Sequence, residues 1–95
     1  MEKQPINKNN LVCYQYKRHC INKMIRELAL KYNVSFKDAY NVFYKQFTIE
    51  TGTDIHILYK LYSGAGKLDV MEHFEKEKGF LTKFYNIVKN EYNEK

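Results

Sequence analysis

Apolar side chains recur every three or four residues along most of this chain, which is the spacing of one face of an α-helix. The recurrences predict a helix that begins within residues 11–20 and ends near residue 32, followed by helices over residues 36–51, 55–62, 67–77 and 80–92. Alternating polarity at 55–57 also allows a short strand there. We therefore expect an all-α fold, a compact bundle of four to five short helices. Residues 1–10 are polar and are expected to form a flexible arm before a single helical domain over 11–95.

The helix predicted over residues 36–51 carries two apolar stripes instead of one. The aromatic stripe consists of Phe36, Tyr40, Phe43 and Phe47. The aliphatic stripe consists of Ala39, Val42 and Ile49. Such a helix either lies at the centre of a small core or offers one side to a partner. A stripe buried against another copy of the chain would make a homodimer.

The segment before this helix has the residues of a tight helix-turn-helix corner. Ala29 is the small residue at the crossing, Asn33 suits a left-handed helix end, and Ser35 is a good N-cap. In a DNA-binding helix-turn-helix, the second helix enters the major groove. The candidate DNA contacts in that interpretation are Lys37, Asn41, Tyr44 and Arg26. A plain corner between two helices fits the same pattern.

The first helix shows one clear apolar stripe, which consists of Ile21, Met24, Ile25, Leu28 and Tyr32. Extended backwards, this face holds Lys17 and Arg18, so tight packing is expected to begin near Ile21. Bulky aromatic side chains suit a protein partner better than a DNA groove. The candidate partner-binding residues are therefore the aromatics Phe36, Tyr40 and Tyr44 and the cations Lys17 and Arg18.

The net charge of +5 is uneven, because residues 1–48 carry +6 and residues 49–95 carry −1. A basic first half favours nucleic acid or an acidic protein as partner. The same lysine excess arises without function in an AT-rich genome. The apolar share of 44% excludes a disordered tail.

The two cysteines do not form a disulfide scaffold. Cys13 and Cys20 on one helix would lie about 10 Å apart, too far for a bridge. Cys13, His19 and Cys20 make a zinc site an alternative, with His56 or His73 as a fourth ligand. Their spacing is not that of a zinc finger or ribbon. We expect reduced thiols, no cofactor and a cytoplasmic setting.

Residues 63–67 superficially resemble a phosphate-binding loop. Leu61 and Leu68 stand where that motif requires Gly and Ser or Thr, so we expect an ordinary loop. No catalytic triad, metalloprotease motif or Cys–His dyad stands out, and we expect no enzyme activity. No signal peptide is visible, and no apolar run approaches the roughly 20 residues of a membrane span.

Residues 19–92 resemble the C-terminal helical module of phage antirepressor-type proteins from low-GC Gram-positive hosts. The matching residues are Ile21 to Ala29, Ala39 to Tyr44, Phe47, Thr51 to Ile55, Lys67 to Glu72, Gly79 and Leu81 to Tyr92. The resemblance implies a helical fold, a phage or mobile-element origin and a function by binding. Such modules follow a larger N-terminal domain, and we expect no such domain within these 95 residues.

These observations predict a small regulatory or inhibitory protein that acts in the bacterial cytoplasm by binding a host or phage protein without catalysis. The first alternative is a helix-turn-helix DNA-binding regulator. The second is an anti-CRISPR-type defence inhibitor, with or without a structural zinc.

Overall fold

In the computed structural model, the backbone is described for residues 5–62 and 66–93 and the side chains from residue 15 onward. The described part contains six α-helices and no strand. They are α1 (Pro5–Tyr32), α2 (Phe36–Thr51), α3 (Ile55–Lys60), α4 (Lys67–His73), α5 (Glu75–Lys78) and α6 (Phe80–Asn93). The all-α prediction is confirmed, the alternative strand at 55–57 is wrong, and the predicted count of four to five helices is too low for the described part.

The first helix begins earlier than predicted. It starts at Pro5, so the backbone of residues 5–10 is helical. Proline is favourable at the first position of a helix because its missing N–H has no partner there in any case. Residues 1–4 of the predicted arm lie outside the described residues, as do residues 63–65 of the loop compared with a phosphate-binding motif.

The turn between α1 and α2 is closed by the residues expected to close it. Asn33 adopts a left-handed conformation with φ of 57°. The N–H of Val34 donates to the carbonyl of Ala29 at 3.0 Å. The hydroxyl of Ser35 accepts a hydrogen bond from the N–H of Asp38 at 3.0 Å, which satisfies one of the free donors at the start of α2.

The sixth helix arises because the segment predicted as one helix over 67–77 is interrupted at Phe74, with φ of −95° and ψ of 10°. The break places the side chain of Glu75, the first residue of α5, next to the start of α6, where its carboxylate accepts hydrogen bonds from the N–H of Thr82 at 3.0 Å and from the Thr82 hydroxyl. Gly79 turns the chain into α6 with φ of 65° and has no side chain to cap it. Glu75 therefore supplies the cap from the neighbouring short helix.

The core lies where α1, α2 and α6 pack together, and α3 and α4 close one side. Among the described side chains, burial on α1 begins at Ile21, as predicted. The stripe from Ile21 to Leu28 is buried, whereas Tyr32 at its end is 47% exposed. The α6 contribution is Phe80, Leu81, Phe84, Ile87 and Val88.

Candidate functional site

The aromatic side of α2 faces the core and does not form a binding surface. Tyr40 and Tyr44 are only 7% and 8% exposed, so the prediction that they are accessible to a partner is wrong. Their rings stack on Phe84 of α6 at centroid distances of 6.2 and 5.3 Å. Phe47 meets the same ring edge-on at 6.0 Å. Since three aromatic rings of α2 pack against the Phe84 ring, this side of α2 belongs to the core.

The buried tyrosines keep their hydroxyl groups protonated. The Tyr40 hydroxyl donates a hydrogen bond to Oδ1 of Asn22 on α1. Burial raises the pKa of Tyr40 to about 12, against the opposing effect of nearby arginine charges. Burial, and then proximity to Tyr40, raises the pKa of Tyr44 well above its ordinary value. Neither phenol is ionised at neutral pH.

Phe36 is the one predicted aromatic contact that stays partly accessible, at 40% exposure. The guanidinium carbon of Arg26 lies 5.5 Å from the centre of its ring, in a cation–π arrangement. The ring also meets Tyr40 edge-on at 5.0 Å. Phe36 therefore caps the edge of the core and does not project from it.

The two cations predicted to bind a partner lie on the half-exposed flank of α1. The Nη1 atom of Arg18 is 2.8 Å from a carboxylate oxygen of Asp69 and 3.0 Å from one of Glu72. The backbone N–H of Gly66, and then Arg18, holds the pKa of Asp69 below its usual value. Arg18 therefore links α1 to α4, which the sequence pattern did not indicate. Lys17 is half-buried next to it in the chain.

The predicted DNA contacts do not share one open face. Lys37 and Arg26 are exposed, Asn41 is half-buried and Tyr44 is buried. The Nζ atom of Lys67 lies 5.6 Å from the centre of the Tyr44 ring and 4.1 Å from that of Tyr59, so a cation covers the remaining edge of Tyr44. Tyr44 is therefore too buried to belong to a DNA-binding surface.

The described residues of the zinc alternative have different neighbours and do not form one cluster. Cys20 packs partly buried against the core, His19 is exposed, and the side chain of Cys13 lies outside the described residues. His56 lies beside the Tyr44 ring and His73 beside the Tyr62 and Phe74 rings. Among the described side chains, no group of three or more potential metal ligands comes together.

A groove that the sequence pattern did not predict lies between the end of α1, α2 and the second half of α6. We call it the Val42 groove, and its volume is about 550 Å³. Its apolar lining consists of Leu28, Tyr32, Val34, Ala39, Val42, Phe43 and Ile87, and its polar lining of Gln46, Glu50, Asn90 and Glu91. Val42 is 63% exposed, and Tyr32 and Val34 are each 47% exposed. Apolar side chains at the rim of an open groove are typical of a binding surface.

The aliphatic stripe of α2 was the available signal for this groove. The helix-turn-helix interpretation places Ala39 and Val42 inward. Ala39 is buried, whereas Val42 and Ile49 are exposed, so the inward position of Val42 is wrong. The same interpretation makes Val34 the apolar plug of the corner, but Val34 is 47% exposed. No sequence pattern indicated that Asn90 and Glu91 of α6 line the groove, because both look like ordinary solvent-facing residues.

No protein-family model, curated protein or solved structure matches this chain. The resemblance to antirepressor modules and the bacterial cytoplasm as the location therefore stay predictions. In the part of the chain that the structure describes, no helix has the length and apolar character needed to cross a membrane.

Proposed function

We propose that this chain is a small, non-enzymatic binding protein that holds a segment of a partner protein in the Val42 groove. The observation that carries the proposal is the open apolar groove of about 550 Å³ with Val42 exposed at its edge. The predicted origin in a phage or mobile element makes a regulatory or inhibitory role the natural consequence of such binding.

The energetic reason is the apolar surface that a partner would remove from water. Tyr32, Val34 and Val42 each keep about half or more of their side chain exposed. Covering apolar surface stabilises a complex by roughly 25 cal/mol per Å² before the costs of association. The buried floor, which includes Leu28 and Phe43, would exclude water from the same contact.

The test compares capture of partner proteins from bacterial lysate by the tagged wild-type chain, Val42→Lys and Ile57→Lys. Ile57 is the matched control because it is 64% exposed, close to the 63% of Val42, and lies outside the groove lining. We expect Val42→Lys to retain about a tenth or less of the captured partner, since a hot-spot substitution costs at least about 2 kcal/mol. Ile57→Lys should capture as much as wild type.

Both variants should show wild-type helix content and melting temperature, because each changes an exposed side chain. Equal capture by wild type and Val42→Lys would contradict the proposal. The identity of the captured protein distinguishes a host regulator from a phage protein or a CRISPR nuclease. Native mass spectrometry of the purified chain tests the zinc alternative, and sedimentation tests the homodimer.

A second candidate function is DNA binding through the other side of α2. The supporting observation is that Lys37, Asn41 and Lys45 recur at four-residue spacing, with both lysines exposed. This candidate retains the helix-turn-helix interpretation of the α1–α2 corner without Tyr44. It predicts an affinity that falls steeply with salt, a uniform loss in Lys37→Ala and altered sequence preference in Asn41→Ala. Absence of any duplex retardation at low salt would remove it.

A further inference from the structure

We infer that the Val42 groove takes one amphipathic helix of about three turns, which carries basic side chains beside its apolar stripe. This inference rests on the proposed function and adds the chemistry of the partner segment. Three observations support it: the length of the groove, the sign of the charges around it and the consequence of twofold symmetry.

The length of the groove matches a short helix. Its wall on α2 runs from Ala39 to Glu50, which spans about 16 Å at 1.5 Å per residue. Ile87 and Glu91 of α6 lie one helical turn apart and form part of another wall. An amphipathic helix in such a groove places apolar residues at positions i, i+3 or i+4, and i+7.

The charges around the groove are mainly negative, although the whole chain carries +5. Glu50 and Glu91 are the charged residues of the lining within the described part of the chain. An adjoining depression shares Leu28 and adds Glu27, whose carboxylate accepts a hydrogen bond from Tyr92, and Lys31. Glu27 and Glu50 against the ammonium group of Lys31 leave a net negative charge, which favours cations on the partner and opposes the phosphates of nucleic acid.

Twofold symmetry argues against a second copy of the chain as the occupant. An isologous interface places the same surface on both subunits. A symmetric pairing of two Val42 grooves would therefore bring the Glu50 carboxylates of both copies into one contact. Like charges brought together in an interface are unfavourable. A helix with lysine or arginine beside its apolar stripe avoids this repulsion.

The experiment uses two fluorescein-labelled peptides of about 14 residues, with anisotropy as the readout. Both carry leucine at i, i+3 and i+7; one has lysine and the other glutamate at the flanking positions. We expect the lysine peptide to bind the full chain roughly fivefold more tightly at low salt, since exposed ion pairs each contribute modestly. The preference should disappear near 0.5 M salt, where screening is strong.

Two charge-reversal variants separate a local effect from a change in net charge. Glu50→Lys should reduce the preference for the lysine peptide to about parity, because Glu50 lines the groove. Glu77→Lys changes the net charge equally at an exposed position of α5 and should keep the preference. Val42→Lys should abolish the binding of both peptides.

Each alternative result has a distinct meaning. Equal affinity for the two peptides, still lost in Val42→Lys, overturns the basic-partner inference and leaves the proposed function standing. No binding of either peptide near 1 mM, with Val42-dependent capture from lysate, overturns the helical occupant alone. Self-association lost in Val42→Lys but kept in Ile57→Lys makes a second copy the occupant. Peptide binding and lysate capture both unaffected by Val42→Lys would overturn the inference and the proposed function together.

Discussion

One apolar side of α2 is buried in the core, and the other is exposed. On the aromatic side Phe47 is fully buried, whereas on the aliphatic side Val42 and Ile49 are 63% and 75% exposed. A buried Phe or Tyr removes roughly 150–250 Å² from water, more than Val or Ile can. Burying the aromatic side therefore gains more free energy. The smaller stripe is left at the surface, where a partner can use it.

The largest expected effect tests the aromatic side through the α6 ring that it encloses. Phe84 is fully buried against Tyr40, Tyr44 and Phe47, so Phe84→Ala should lower the free energy of unfolding by about 3–5 kcal/mol. Urea titration followed by circular dichroism measures the loss. A domain of this size has only about 5–15 kcal/mol of stability, so Phe84→Leu provides a milder variant that stays folded.

Val42→Ala is the matched substitution on the aliphatic side. It should change the unfolding free energy by less than about 0.5 kcal/mol, because the side chain is exposed and alanine favours the helix. If Val42→Ala lowered the unfolding free energy as much as Phe84→Ala, both sides of α2 would contribute equally to stability. That result would contradict the difference in their burial.

The next prediction concerns the pH dependence of stability that the buried hydroxyl groups of Tyr40 and Tyr44 produce. Below pH 10 both the folded and the unfolded chain keep the Tyr40 proton, so its contribution to stability is fully present. Between pH 10 and about 12 the unfolded chain releases that proton first, because burial raises the folded pKa to about 12. The free energy of unfolding should therefore fall by up to about 3 kcal/mol across this range. The raised pKa of Tyr44 adds a loss of the same sign.

Urea titrations at intervals from pH 8 to 12 measure this decline, and Tyr40→Phe is the control that lacks one of the two phenols. Its curve should be flatter than that of wild type. An identical slope would mean that Tyr40 ionises as readily in the folded protein as in the unfolded chain, contrary to its burial.

The smallest stability loss expected on the aromatic side concerns the hydrogen bond that ties α2 to α1. Tyr40→Phe at pH 7 should cost about 1 kcal/mol, because Oδ1 of Asn22 loses its donor in a partly buried position. The double variant with Asn22→Ala should cost less than the sum of the single variants, and thermal or urea unfolding gives all four values. Strict additivity would indicate that the two side chains do not interact in solution.

Local signals predicted most of the helix ends. Ser35, Asp54 and Gly52 act as caps because each satisfies free backbone groups within its own turn, and such chemistry depends only on neighbouring residues. The start of α1 and the end of α4 were harder to predict. Pro5 starts α1 inside a segment that looks like a polar arm, and the break at Phe74 is followed by a hydrogen bond between Glu75 and Thr82, seven residues apart.

The candidate site was less predictable than the helices. The sequence indicated that α2 has two apolar stripes, but not which one packs against Phe84. Arg18 looked like a partner-binding cation until α4 brought Asp69 and Glu72 to it across more than fifty residues. The Val42 groove combines residues of three helices, and no local pattern contains that combination.

The sequence by itself determined the helices, most of their caps and the two-sided character of α2, because periodicity and capping act over a few residues. Only the tertiary structure decided which side of α2 is core. That choice depends on which face buries more apolar surface against α1 and α6, and it left Val42 beside Glu50 and Glu91 in an open groove. Long-range packing, and not local pattern, therefore selects the surface through which this protein is proposed to act.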